Sequence, residues 1–526
     1  MADLAPPAPA AVPTEHEDSR DLSRFGYRQE LHRSLGSFSS FAAGFSYISI
    51  MTGVFQLFAF GFGAGGPAVW WTWPAVFAGQ LAVGLCFAEL AGQFPLAGGV
   101  YQWSRRVGGH AVSWMAGYIL IIGAIVTAAA VAVAYQVVLP QVSQSFEVFG
   151  TSADAGYYNT PEGAKNAIVL AIGLIIFTTI INCIGVRLMS RINNVGVAAE
   201  LVGVTLLIVL LAVHIKRGPQ VITQTLGTGA GHPAGYLGAF LVAGIMSAYV
   251  LYGFDTAGTL AEETNNPRKH APRGIIRALF AAFAAGGLLM LIGMMAVDKI
   301  NDPNLPLLGM PYLVKSTLGN GLGNVFLIDS AIAITVCCLA VHTAAIRQLF
   351  SMARDGELPF GKQIARVTPR SGVPVVPAIL VGLLTIGLLL LNIGNQSVFL
   401  ALTSVAIILF YIPYGCATGS MLYRRLRGEW QRPDHGEHFS LGKWGMAVNI
   451  FAVLYGLGMA INLLWPRPAV YGAAHWYTQW SALLFTGVVA LIGAVYYLLS
   501  VRPKVARTAA AALAAGALIP QTPAES

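Results

Sequence analysis

Ser49-Ile50-Met51-Thr52-Gly53 and Tyr252-Gly253-Phe254-Asp255 put glycine, hydroxyl groups and one acid inside segments otherwise apolar enough to cross a bilayer. A membrane helix satisfies its own backbone, and lipid cannot satisfy backbone groups that an interruption sets free, so a break must face protein or a water-filled cavity. Free N–H groups at the start of a second half-helix, aided by its dipole, suit a carboxylate. Free carbonyls at the end of the first half suit an ammonium, so a pair of half-helix ends matches a zwitterion. The competing reading of 49–53 is that Gly53 and its neighbours only let helices pack closely. At the second break Gly253 permits a strained backbone, and Asp255 is an acid at membrane depth, a functional candidate by default. The alternative for Asp255 is a carboxylate that only caps the second half-helix. Tyr249, Tyr252 and Phe254 read equally as aromatic gates or as packing. Glu200, in Asn193-Asn194-Val195-Gly196-Val197-Ala198-Ala199-Glu200-Leu201, is a second acid flanked by apolar residues, and with Asp255 it is the best candidate for cation or proton coupling. His342 reads as a hydrogen-bonded structural residue.

The elements that must hold these residues are membrane spans. Of 526 residues, 56% are hydrophobic and 10% charged, against about 25% charged in soluble domains. Twelve apolar runs are long enough to cross: 36–62, 67–92, 111–140, 165–186, 193–214, 236–263, 275–297, 323–350, 374–394, 397–423, 444–466 and 476–500. The stretch from Ala509 to Ile519 is too short and alanine-rich to span. With the N-terminus inside, 25 of the 31 Lys and Arg residues fall on the inner side, which predicts both termini in the cytoplasm. The net charge of +8 is thus a topology signal, not a nucleic-acid patch. Residues 1–21, acidic and rich in Ala and Pro, lack the plan of a secretory signal and are expected to form a cytoplasmic tail. The segment 21–33, with its charges and aromatics, is expected at the inner interface. Pro95 to Trp103 reads as an inner loop ending at Arg105 and Arg106, and Gln141 to Ala164, with Asp154, as an outer one.

Spans 1 and 6 share one plan, and five spans separate their starts, so two five-helix units enter the membrane from opposite sides. Two such interrupted spans point to the binding site of a secondary transporter. The five cysteines all fall in spans and lack metal-ligand spacing. Gly61-Phe62-Gly63-Ala64-Gly65-Gly66 matches the dinucleotide fingerprint formally, but that motif has meaning only between a strand and a helix. No Walker A lysine, HExxH pair or G-x-S-x-G elbow is present, which argues against an ATP-driven pump or a familiar hydrolase.

Taken together, the motifs resemble the amino acid–polyamine–organocation superfamily, most closely its amino acid/choline transporter branch. They are Gly26-Tyr27 with Glu30-Leu31, Thr52-Gly53-Val54-Phe55 with Gly65-Gly66-Pro67, and Glu89-Leu90 through Pro95, Gly98, Gly99 and Tyr101. Further along come Tyr252-Gly253-Phe254-Asp255 with Glu262-Glu263-Thr264, Asn266-Pro267, and Ala353-Arg354-Asp355-Gly356-Glu357-Leu358-Pro359. The resemblance covers residues 22–500. It implies an all-α polytopic LeuT-like fold of twelve transmembrane helices, a 5+5 inverted repeat with discontinuous helices 1 and 6. The implied organisation is a cytoplasmic tail with an interfacial segment at 1–35, a first repeat at 36–214, a second at 236–423, peripheral helices 11 and 12 at 444–500, and a cytoplasmic tail at 501–526. It further implies that the chain is no enzyme but a permease of the cell (inner) membrane, importing an amino acid or related amine such as GABA by alternating access. Thr52-Gly53 looks like the carboxylate-cradling pair of related permeases, with Met51 in the same substrate-binding stretch and carbonyls near Ser49, Ile50, Tyr249 and Tyr252 for the amine. Gly253 and Phe254 line the second break, and Tyr249 falls at the aromatic gate. Asp255 falls where some relatives carry a glutamate tied to proton release. Glu200 departs from relatives that place a lysine there, which leaves the coupling ion open with protons favoured. The expected partners are a small-molecule substrate, a coupling cation and membrane lipid, with no nucleic acid, metal or cofactor. The alternatives are a choline or polyamine transporter and, from another class, a transport-like nutrient sensor.

Overall fold

The computed structural model describes residues 22–507 apart from 152–156, 158–159, 231, 233, 369–371, 392, 394–397, 431–437 and 472–474. The expected tails at 1–21 and 508–526, with the stretch from Ala509 to Ile519, and Asp154 in the expected outer loop lie outside the described residues. Among the described residues the only strand-like pairing is an isolated bridge between Leu35 and Thr264. Ten helical segments among the described residues are long and apolar enough to cross a membrane. Two further apolar helices, Tyr236–Val250 and Val375–Leu391, are shorter; they coincide with the expected spans 236–263 and 374–394.

The first span is two helices, α1 (Ser37–Ile48) and α2 (Ile50–Gly65), separated at Ser49. Ser49 has φ 36 and ψ 102, and its hydroxyl accepts the Thr52 amide hydrogen as an N-cap does. A serine at positive φ is uncommon and is kept there only by its surroundings. Then come α3 (Thr72–Gln93), α4 (Gly99–Gly108), α5 (His110–Ala132), α6 (Tyr135–Val142), α7 (Pro161–Ile184) and α8 (Val186–Val213). α4 replaces the latter part of what was expected as an inner loop from Pro95 to Trp103. Gly98 at φ 95 opens this helix, Val100, Tyr101, Trp103 and Val107 are buried, and Arg105 and Arg106 sit in its last turn, the end that favours cations.

The sixth span is also interrupted: α9 (Tyr236–Val250) ends in a turn over 251–255, and the single-turn α10 (Thr256–Thr259) follows. The turn explains why α9 falls short of a full span. α11 (Pro267–Ala296) and α12 (Leu305–Arg354) come next. α12 bends at Gly309 (φ 63) and Gly319 (φ 79), so its long straight part begins after 319. α13 (Val375–Leu391), α14 (Val398–Leu426), α15 (Gly445–Leu464) and α16 (Ser481–Tyr496) follow. α15 and α16 expose apolar side chains such as Leu454, Leu457, Leu491 and Ile492.

Packing pairs the broken halves: α2 lies on α9, and α1 lies on α10 and α11. α12 packs on α2, α5 and α8. Residues 22–35 then tie down the end of the molecule that carries α1 and α10. The amides of Ser34 and Leu35 both donate to the Glu263 carbonyl, at 3.0 and 2.9 Å, and the Asn265 amide donates to the Leu35 carbonyl at 2.9 Å. Leu22, Leu31 and Leu35 are buried. Beneath them Arg347 meets Glu263 through Nε at 2.6 Å, and Arg354 meets Glu262 at 2.8 Å. Charges this deep are tolerated because each guanidinium grips its carboxylate with two nitrogens. The Tyr27 hydroxyl donates to Asp355 Oδ1 at 2.9 Å. Burial, and then the Asp355 charge, push that phenol up to about 12.

Candidate functional site at two helix breaks

At the first break the loose helix end is met by a side chain from α8. Glu200 is buried, and its Oε1 accepts from the Met51 amide at 3.0 Å and from the Ser49 hydroxyl at 3.0 Å. The Ser49 oxygen in turn accepts from the Thr52 amide at 3.3 Å and lies 2.6 Å from the Thr52 hydroxyl. A carboxylate of the protein itself therefore sits at the positive end of α2, where charge and dipole favour it. On the other side, Cys337 Sγ donates to the Tyr47 carbonyl at 3.3 Å and Ser330 Oγ approaches the Met51 carbonyl at 3.5 Å, both from α12.

At the second break Gly253 has φ 88, a conformation that favours glycine. A Cβ at this position would overlap the Tyr47 ring, and one at Gly53 would come within 2.5 Å of Val250 Cγ2. The two breaks therefore touch, each glycine making room for the other span. Tyr414 of α14 closes the turn: its oxygen accepts from the Gly253 amide at 3.0 Å, and its hydroxyl donates to Asp255. Asp255 Oδ1 is thus held by a phenol, while its backbone carbonyl accepts from the amides of Gly258 and Thr259 in α10.

Aromatic rings enclose the junction. Tyr252 lies 5.9 Å from Tyr47, 5.7 Å from Tyr249 and 4.7 Å from Phe410 between ring centroids. The Tyr252 hydroxyl pairs with Thr127 at 3.0 Å, whereas among the described residues the buried hydroxyls of Tyr47 and Tyr249 meet no partner in hydrogen-bond geometry, with Thr127 and Gln56 respectively as polar neighbours. Phe254 packs on Phe87 and Tyr414. A site so composed can hold an ammonium by carbonyls, ring faces and acids, and it has two spare hydroxyls to offer.

The segments singled out from the sequence meet where Gly53 faces Val250 and Gly253 faces Tyr47, Glu200 joins the first break, and Phe254 and Asp255 turn instead to Tyr414. Asp255 and Glu200 do not share a partner: one is held by α14, the other by the α2 end. His342 is a structural residue by its contacts, with Nε2 donating to the Ala378 carbonyl at 3.1 Å and Nδ1 3.0 Å from the Thr178 hydroxyl. Sequence reasoning missed Tyr47, Tyr414, Phe410 and Thr127, which look like ordinary members of apolar runs. It also missed Asp329, which the rule that found Glu200 would have flagged.

Comparison with known proteins places this geometry in a family. A family model described as amino acid permease matches residues 35–492. The chain is similar to amino-acid permease BAT1 of Arabidopsis thaliana, 29% identical over 93% of this chain and 96% of that protein. It is 29% identical to the BAT1 homolog of Oryza sativa over 87% of this chain and 88% of that protein. It is 27% identical to the methylthioribose transporter of Bacillus subtilis over 74% of this chain and 83% of that protein. Ten apolar spans and a match over most of its length make this chain a multi-pass membrane permease rather than an enzyme. The chain belongs to the amino acid permease family, within the amino acid–polyamine–organocation superfamily.

Proposed function

We propose that the chain imports an amino acid or a related amine such as GABA across the cell (inner) membrane by alternating access, coupled to protons. The observation that supports this most directly is the contact between two interrupted spans, Gly53 against Val250 and Gly253 against Tyr47. Loose helix ends meeting inside a membrane bundle are where solutes are held in carriers built this way. On this reading the fold is LeuT-like, with twelve helices in two inverted repeats at 36–214 and 236–423, peripheral helices at 444–500, and both termini cytoplasmic. The backbone at Thr52 and Gly53, beside Met51, cradles the substrate carboxylate, and carbonyls near Ser49, Ile50, Tyr249 and Tyr252 take the amine. Gly253 and Phe254 shape the second break, Tyr249 closes the site, and Asp255 and Glu200 couple transport to the cation.

One observation favours a second reading, a choline or polyamine carrier. The Met51 amide is already engaged by Glu200, and the ring cluster around Tyr252 suits a cation that brings no carboxylate. Counterflow by purified protein in proteoliposomes separates the two. L-amino acids, GABA, choline, putrescine and methylthioribose are each tested as the internal substrate, with and without an inward proton gradient. Exchange confined to zwitterions supports the first reading, and exchange confined to choline or putrescine supports the second. No exchange with any of the panel would refute both.

A further inference from the structure

The seam between α8 and α12 carries a second acid that takes no part in either break. A Cβ on Gly203 would overlap Asp329 Oδ2, and one on Gly196 would overlap Val336. Gly196 and Gly203 lie seven residues apart on α8, and Asp329 and Val336 lie seven apart on α12. The two helices therefore meet antiparallel along one line of side chains. Glu200 falls between the glycines, four residues after one and three before the other, so it faces the same seam.

Two carboxylate oxygens are stranded there. Glu200 is 1% exposed, and its Oε2 is buried without a hydrogen-bond partner, as is Asp329 Oδ2. Among the described residues neither acid has a basic partner within ion-pair distance. Of the helices packed on α8 and α12, α2 and α13 have no titratable side chain, α1 brings only Tyr47 and α6 only Tyr135. α5 carries His110 and Tyr118, α7 carries Glu162 and Lys165 near its start and Cys183 near its end, and α11 carries its charges within its first eleven residues; none of these bases forms an ion pair with either acid. On α12 itself Cys337 and Cys338 are buried thiols that bring no positive charge, and Lys315 lies before the bend at Gly319 with its Nζ donating to the Gln141 carbonyl. Unpaired negative charge in hydrocarbon is costly, and two such charges facing one seam repel each other. A hard metal cation wants about six or more oxygens, whereas this seam offers two that are free.

We propose that Glu200 and Asp329 form a two-carboxylate subsite that shares one exchangeable proton, taken up at Asp329 and passed to Glu200. Asp329 is the half-buried member and lies about 15 Å along α12 from the bend at Gly319, at about 1.5 Å per residue. A proton entering from that end binds Asp329 Oδ2 and lowers the charge of the pair from two to one. Transfer to Glu200 Oε2 then brings it beside Ser49 and Met51, where it loosens the carboxylate's hold on the α2 end and couples protonation to the first break. The subsite rests on the transport reading for its use but not for its existence.

Two measurements keep those apart. In nanodiscs, difference infrared titration of the purified protein should show a carboxylic C=O band that disappears in Glu200→Gln and is altered in Asp329→Asn. A band unchanged by Asp329→Asn overturns the pair whatever the protein transports. In proteoliposomes, Asp329→Asn should cut proton-driven accumulation about tenfold or more, and adding it to Glu200→Gln should cause no further loss, as expected for residues acting as one unit. Additive losses, or wild-type accumulation by Asp329→Asn, overturn the proposal. Gly203→Ala keeps both acids but displaces Asp329, and it should reproduce the loss; if Asp329→Asn fails to insert, this variant decides. Wild-type protein that shows the band but exchanges no substrate refutes the transport reading and leaves the subsite standing.

Discussion

Replacing Gly253 by alanine tests the contact on which the proposed site depends. At φ 88 an L-residue carries a backbone penalty of roughly 1–2 kcal/mol. The new methyl group would also overlap the Tyr47 ring, and overpacking a close-fitted interior costs typically about 1–3 kcal/mol. Together these give about 2–5 kcal/mol against the observed arrangement of the two breaks. Even the lower figure corresponds to about a 30-fold fall in the population of the native junction. The assay is initial uptake or counterflow in proteoliposomes, paired with thermal unfolding of the detergent-purified protein. Gly419→Ala is the matched control, since a Cβ there meets nothing within 4 Å. Gly253→Ala should lower transport by 30-fold or more, lower the melting temperature, or both, while Gly419→Ala leaves both near wild type. Tyr47→Ala in the Gly253→Ala background should recover part of the loss by removing the overlap but not the backbone strain. Wild-type transport and stability in Gly253→Ala would show that the junction is not held as described.

Three other outcomes follow from the geometry. Tyr414→Phe strips the shared hydroxyl from Gly253 and Asp255 and should destabilise by about 1–3 kcal/mol, the cost of leaving a buried polar group unmet; an unchanged melting temperature would argue against the bond. Arg347→Met leaves Glu263 buried and unpaired and should cost about 3–5 kcal/mol, whereas removing both charges with Glu263→Met should restore much of it; equal loss in the single and double variants would contradict this. The Tyr27 phenol, held up near 12 by burial and Asp355, favours its neutral form in the folded state. Its contribution is therefore complete below about 10, the ordinary tyrosine value, and is lost as the pH rises toward 12. Hydrogen exchange over residues 22–35 should quicken in that window, and Tyr27→Phe should remove the pH dependence.

Ten of the twelve expected spans and both interruptions were legible because a bilayer leaves so few ways to satisfy a backbone. Gly253 beside an acid, and a serine-to-glycine run ending at Gly53, stand out against apolar sequence for that reason. α4 was not legible, since ten residues between Gly98 and Gly109 carry too short a pattern to separate from a loop. The partners of the acids were hidden for a different reason. Glu200 announces itself at membrane depth, but nothing local says that it reaches 149 residues back to Met51. Tyr414 sits 159 residues from Asp255, and a tyrosine in an apolar run reads as packing until the fold brings its hydroxyl to a turn. Asp329 was overlooked because it lies six residues inside the expected start of its span at 323, where an acid looks like a boundary.

The stitching of residues 34 and 35 to 263 and 265 gives the lower halves of the two broken spans a common fate. α1 hangs from this seam on one side and α10 on the other, with the guanidinium of Arg347 fixed to the same short stretch. On the proposed transport reading, a swing of one half-helix would drag its counterpart along, and an aperture toward that side would open by moving a single wedge rather than two independent flaps.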